Sequence, residues 1–79
     1  MDSAEIRQRV KKAVGAVLKT DPATIADDAN FVFDLGADSM QSVQLVGALE
    51  EEFGIEMEED QALTVQDIPG AVDFIAQYL

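Results

Sequence analysis

The sequence predicts an all-α fold: a small four-helix bundle of three main helices plus one short helix, with a long first loop. Three observations carry this. Apolar residues recur at helical spacing in three separate stretches. Each stretch opens on a residue able to cap a helix. Strand alternation is nowhere sustained. The 79 residues are expected to form a single domain, 1–79. A chain this short buries only a modest core, and 48% apolar content is enough to form one.

The first helix is read over residues 2–19. Ile6, Val10, Val14, Val17 and Leu18 make one apolar stripe, and Asp2 with Glu5 has the spacing of a capping box. Thr20-Asp21-Pro22 is expected to stop it, because the residue before proline disfavours the α region. Gly15 lies inside this helix, at a cost of about 1 kcal/mol relative to alanine. Residues 21–37, DPATIADDANFVFDLGA, mix turn formers with Ile25, Phe31, Val32, Phe33 and Leu35. They read as a long loop with a helical turn near 23–26. Its apolar residues can pin it across the core. Loops of about 15 residues are uncommon in compact domains and are often functional.

Residues 39–53, SMQSVQLVGALEEEF, give the clearest helix, about 22 Å long. Val43, Val46, Leu49 and Phe53 form the expected stripe, with Leu45 alongside. Asp38 and Gln41 have capping-box spacing, and Gly54 followed by Ile55 suits the C-terminal end. Gly47 is costly in a helix interior unless something packs closely there. A short helix is read around 59–63, with Met57, Ala62, Leu63 and Val65 apolar around it. In the last stretch, DIPGAVDFIAQYL, Asp67 is the N-cap and Pro69 sits in the first turn. Ile68, Val72, Ile75, Ala76 and Leu79 form its stripe, flanked by Ala71, Phe74 and Tyr78.

Net charge is −11, and it is unevenly spread. All five bases (Arg7, Arg9, Lys11, Lys12 and Lys19) precede residue 20, and no base follows. Such a surface repels nucleic acid and anionic membrane and draws in basic protein patches. Its acids also repel one another, so moderate salt or divalent cations are expected to raise the melting temperature. No run of about 18 apolar residues is present, so no membrane insertion is expected. The charged start, MDSAEIRQRVKK, lacks an apolar signal core, which points to the cytoplasm. Without cysteine there are no disulfides or thiolate metal sites.

The residues available limit the chemistry. A nucleophilic serine needs a base, and the chain has no histidine. Exposed Asp34 and Asp38 are poor bases at neutral pH. The acids of 27–36 lack the ligand spacing of a calcium loop, so no metal site is expected. Ser39 invites the reading of a simple cap, since serine favours that position. Asp38 already fills it with Gln41 at N3, which leaves Ser39 at N1 with a free hydroxyl. A helix N-terminus favours a phosphate ester. The position therefore suits a serine modified by another enzyme.

The run DLGADSM followed by VQLVGALEEEFGIE resembles the acyl carrier protein family. The likeness begins at RVKKAVGAVL, continues through DDANFVFDLGADS and ALEEEFGIE, and ends at TVQDIPGAVDFI, covering almost the whole chain. It implies a non-catalytic carrier in fatty acid or related lipid or polyketide biosynthesis. Ser39 would accept 4′-phosphopantetheine from coenzyme A, with acyl groups held as thioesters on the arm's thiol. Asp38 matches the aspartate that helps the transferase and its metal engage. Partner contacts would fall on Asp38, Met40, Gln41, Gln44, Glu50, Glu51 and Glu52. The partners implied are basic patches on the phosphopantetheinyl transferase and on acyl-loading, acyl-elongating or acyltransferase enzymes, met by a monomeric carrier.

An acyl pocket would be lined by Val32, Leu35, Val43, Val46, Leu49, Met57, Ala62, Leu63, Val65 and Phe74. Filling the space at Gly47 with leucine is expected to shorten the tolerated chain. Met40 stands where the family's motif has leucine, and Gln41 and Gln44 stand where many relatives have acids. These departures suggest a specialised carrier. The alternatives are an acidic helical adaptor and a divalent-cation-binding module, both without a prosthetic group.

Overall fold

A computed structural model describes residues 1–79 as helix α1 (Ser3–Leu18), a 3-10 turn (Pro22–Thr24), α2 (Ser39–Phe53), α3 (Glu59–Ala62) and α4 (Ile68–Ala76). The four-helix reading holds, and no strand is present beyond a single bridge between Asn30 and Asp67. Helices α2 and α4 both pack on α1. Ile68, Ile75, Val10 and Val14 are the largest fully buried side chains, so the core runs along the α1–α4 contact. Leu45 and Leu49 bring α2 onto it, while Ile25, Ala29 and Phe31 add the loop. No helix is long and apolar enough to cross a membrane.

Local capping sets most of the boundaries. Asp2 accepts from the Glu5 amide at 2.8 Å, the forward half of the expected box. At α2 both halves form: Asp38 Oδ1 accepts from Gln41 N at 2.8 Å, and Gln41 Oε1 accepts from Asp38 N at 3.1 Å. Asp67 Oδ1 accepts from Gly70 N at 2.7 Å and opens α4. Gly54 closes α2 in the left-handed conformation, and the Ile55 amide reaches back to the Glu50 carbonyl.

The end of α1 falls within a residue of the expected stop, and a left-handed cap adds to the proline. The helix ends before the proline, with Lys19 in the left-handed region at φ 56°. The Thr20 amide donates to the Gly15 carbonyl at 3.0 Å as the chain doubles back over the last turn. A Cβ at Gly15 would lie 2.6 Å from the Thr20 carbonyl oxygen. Glycine there is what permits the reversal, and the lost helix propensity is the cost of that close approach. The other end of the chain departs from expectation: α4 stops at Ala76, so Leu79 lies beyond it and is exposed.

The expected apolar stripe of α2 is rotated. Leu45 and Leu49 are buried, whereas Val43 is about half exposed. Packing against α1 chooses the Leu45–Leu49 line, and Val43 falls on the opposite side of the helix.

The bases of α1 are spent inside the molecule. Lys11 donates to Asp27 Oδ1, and Arg7 Nε lies 3.5 Å from the same oxygen. Arg9 Nε donates to Glu52 Oε2 at 2.9 Å, another Arg9 nitrogen donates to the Glu52 carbonyl, and Lys12 sits 3.5 Å from the carboxylate. The Lys11 hydrogen bond and charge, helped by Arg7, hold the Asp27 carboxyl below its usual range. The Arg9 hydrogen bond does the same for Glu52. A carboxyl lowered on folding stabilises the fold above its unfolded pKa. That contribution fades as pH falls through the lower folded value.

The remaining acids have no such partners. The molecule measures 27 × 25 × 18 Å, so at about 0.01 M salt, where screening reaches roughly 30 Å, every acid feels the others. At about 0.15 M the reach is roughly 8 Å, and only the contact pairs survive undiminished. Thermal melts should therefore rise between these two conditions. No group of three or more acids gathers closely enough to hold a metal ion. The effect should thus depend on ionic strength, with magnesium matching sodium at equal ionic strength. A melting temperature that falls with salt would contradict this balance.

Candidate functional site

The loop before α2 is built on Asn30. Its side-chain oxygen accepts from the amides of Val32 and Phe33, both at 2.9 Å. Asp34 Oδ2 accepts from the Asn30 amide at 2.7 Å. The Gly36 amide returns to the Val32 carbonyl and the Ala37 amide to the Phe31 carbonyl, at 3.0 and 2.8 Å. Gly36 takes φ 74°, a conformation costly for other residues, and this turns the chain into Asp38. The loop is tied to the start of α4 by Phe31 N to Gln66 O at 2.8 Å and Ile68 N to Ala29 O at 3.0 Å.

Ser39 therefore sits at the first residue of α2, on a scaffold fixed from both sides. It is exposed, and its neighbours make the cap. The amides of Ser39 and Met40 have no partner within the helix, as in any first turn. Together with the positive end of the helix dipole they suit a phosphate ester on the Ser39 oxygen.

The other residues singled out from the sequence fall into distinct places. Asp38 and Gln41 are joined in the capping box, Met40 is exposed next to Ser39, and Gln44 is exposed further along α2. The glutamate triplet is split. Glu50 accepts from the Met57 amide at 2.8 Å and so holds the turn after α2. Glu52 is locked to Arg9 and Lys12. Glu51 alone of the three is exposed. Of the three, Glu51 is the one whose carboxylate has no partner inside the chain.

A cavity of about 320 Å³ opens beside α2. Of the ten residues expected in an acyl pocket, Val32, Val46, Leu49, Met57, Ala62, Leu63, Val65 and Phe74 line it. Leu35 does not: it is half-buried against the core instead. Nor does Val43, which faces away from the cavity for the reason given above. The lining also includes Phe31, Phe33, Leu45, Ala71 and Ile75, which were not anticipated. For Leu45 a signal existed: it stands four residues before Leu49 and three after Ser42, which also lines the cavity. Gly47 is corrected too. A Cβ there meets nothing within 4 Å and the residue is exposed, so its missing side chain does not enlarge the cavity.

Comparison with known proteins agrees with this geometry. Residues 8–75 match the family profile described as "Phosphopantetheine attachment site". The chain is 46% identical over 78 residues to "Acyl carrier protein 2, mitochondrial" of Arabidopsis thaliana. That alignment covers 99% of this chain and 62% of the relative, so the chain spans less than two thirds of the relative's length. A solved Mycobacterium tuberculosis structure assigned as an acyl carrier protein superposes with a TM-score of 0.82 at 26% identity, covering 94% of this chain and 99% of that one. The prosthetic group of such an attachment site is 4′-phosphopantetheine. The bundle has the acyl carrier protein fold, and the chain belongs to the family that carries a phosphopantetheine attachment site.

Proposed function

We propose that this chain is an acyl carrier in fatty acid or related lipid or polyketide biosynthesis, and that Ser39 is its attachment point. The observation that carries this reading is the free, exposed Ser39 hydroxyl at N1 of a capped helix, one turn from Ser42 on the lining of an apolar cavity. In loading, the serine oxygen forms a bond to phosphorus of coenzyme A. The pyrophosphate link breaks, the nucleotide half leaves, and the hydroxyl proton is lost. The chain has no histidine to take that proton. The base therefore belongs to a second protein, a phosphopantetheinyl transferase, and the chain is its substrate. When attached, the arm supplies the thiol on which acyl groups are held.

The cavity suits the apolar end of such a cargo. Thirteen of its sixteen lining residues are hydrophobic, so selection among chains rests on volume more than on hydrogen bonds. At about 320 Å³ it is roughly twice a cavity that admits benzene, which sets a chain on the order of ten carbons.

Partner enzymes would read the acidic surface through basic patches. Glu51 is the carboxylate best placed for this, because Glu50 and Glu52 are held within the chain. Glu51→Lys should slow loading by about two- to five-fold at low ionic strength, with the gap closing at high salt. Equal rates at low salt would remove Glu51 from the docking surface. The cytoplasmic placement is likewise a proposal, set beside a relative named as mitochondrial; fractionation of cells making the chain decides it.

The test of the reading is intact mass. Incubated with coenzyme A and a phosphopantetheinyl transferase, the folded chain should gain one phosphopantetheine unit. An unchanged mass would overturn it.

A further inference from the structure

Phe33 is the most exposed large apolar side chain in the molecule, at 87%, yet it also lines the cavity. Looseness of the loop does not explain the exposure. The Phe33 amide donates to Asn30 Oδ1 at 2.9 Å, and the following residue, Asp34, binds back to Asn30 through both its amide and its carboxylate. The backbone is thus held, and only the two side-chain torsions of the ring remain free. A ring on a fixed stem loses little conformational freedom when it is covered.

Its neighbours at the opening are Val32 and Leu63, both substantially exposed, so the cavity mouth is apolar on two sides. The mouth also lies close to Ser39. Ala37, two residues before it, binds the Phe31 carbonyl, and Ser42, one turn after it, lines the cavity. An apolar chain tethered at Ser39 would pass this opening on its way in.

From these features we infer that Phe33 is the residue that covers the tethered acyl chain at the cavity mouth, and so helps set which chains are held. This rests on the carrier reading above. The occupant is the aliphatic part of the cargo. Its argument is continuity: the exposed ring edge and the buried lining belong to one apolar surface, and that surface begins beside the attachment point. An empty cavity leaves the ring in water, whereas a filled one offers it an apolar surface to lie on.

The chain contains no tryptophan, so Phe33→Trp introduces a single fluorescent reporter. The variant would be loaded from acetyl- and from decanoyl-coenzyme A. The expected result is a blue shift of emission with the decanoyl cargo and none with the acetyl cargo. In parallel, the rise in melting temperature on going from acetyl to decanoyl cargo should fall to about half in Phe33→Ala. Emission that ignores chain length, or that shifts only when a partner enzyme is added, would overturn the assignment and make Phe33 a docking residue instead. A chain that accepts no arm refutes the carrier reading itself, an outcome told apart by its unchanged mass.

Discussion

Ile68→Ala is expected to destabilise the chain by about 2–5 kcal/mol, because truncating a buried isoleucine removes apolar burial and leaves a cavity. Ile68 is completely buried at the first position of α4, and its amide holds the Ala29 carbonyl at 3.0 Å. A domain of this size has only a small reserve, and each kcal/mol moves its melting temperature by roughly 4–8 °C. The melting temperature should thus fall by at least about 8 °C. The consequence reaches the site, because Ile68 packs in one core with Ile25, Ala29 and Phe31 of the Ser39 loop, beside the Ile68–Ala29 and Phe31–Gln66 bonds that join that loop to the start of α4. Ile75→Ala, equally buried but away from that tie, serves as the comparison. Both should lose stability, and only Ile68→Ala should open residues 25–37 to proteolysis below the melting transition. Equal protease resistance in the two variants would show that the loop holds without α4.

Ser39→Ala should have the opposite profile. The side chain is exposed and takes no part in the cap bonds made by Asp38 and Gln41, so stability should stay within about 0.5 kcal/mol of the parent. Loading should disappear altogether, because no other oxygen stands at N1 of a long helix beside the cavity. Unfolding curves and intact mass on the same sample separate the two effects. A variant that still accepts the arm would move the attachment elsewhere. A variant that unfolds would mean that the hydroxyl supports the fold.

The pairing of an intact fold with lost function depends on how local the site is, and this locality also governed what could be read from the sequence. Asp38, Gln41, Gly54 and Asp67 announce helix ends because each acts on amides or torsions within a few residues, and all four act as expected. Lys19 was not legible. Its left-handed conformation follows from the reversal over Gly15, a contact that propensity does not encode. The facing of α2 was half legible: its period is local, but its rotation is chosen by α1. That is why Leu45 turned inward and Val43 outward.

Glu50 and Glu52 looked alike in a run of three acids. Glu52 is distinguished by Arg9, 43 positions away, and Glu50 by an amide that becomes available only once the chain has turned after Gly54. The backbone at Phe33 is likewise held by the side chain of Asn30, whose role as the hub of a turn is not visible in composition.

The most direct test is where the prosthetic group lands. The chain offers other hydroxyls, among them Ser3, Ser42 and Thr24, and Ser42 lies only one turn from Ser39. Fragmentation mass spectrometry of the loaded chain should place the whole added mass on Ser39. Mass found on Ser42 or Ser3, or spread over several residues, would contradict it.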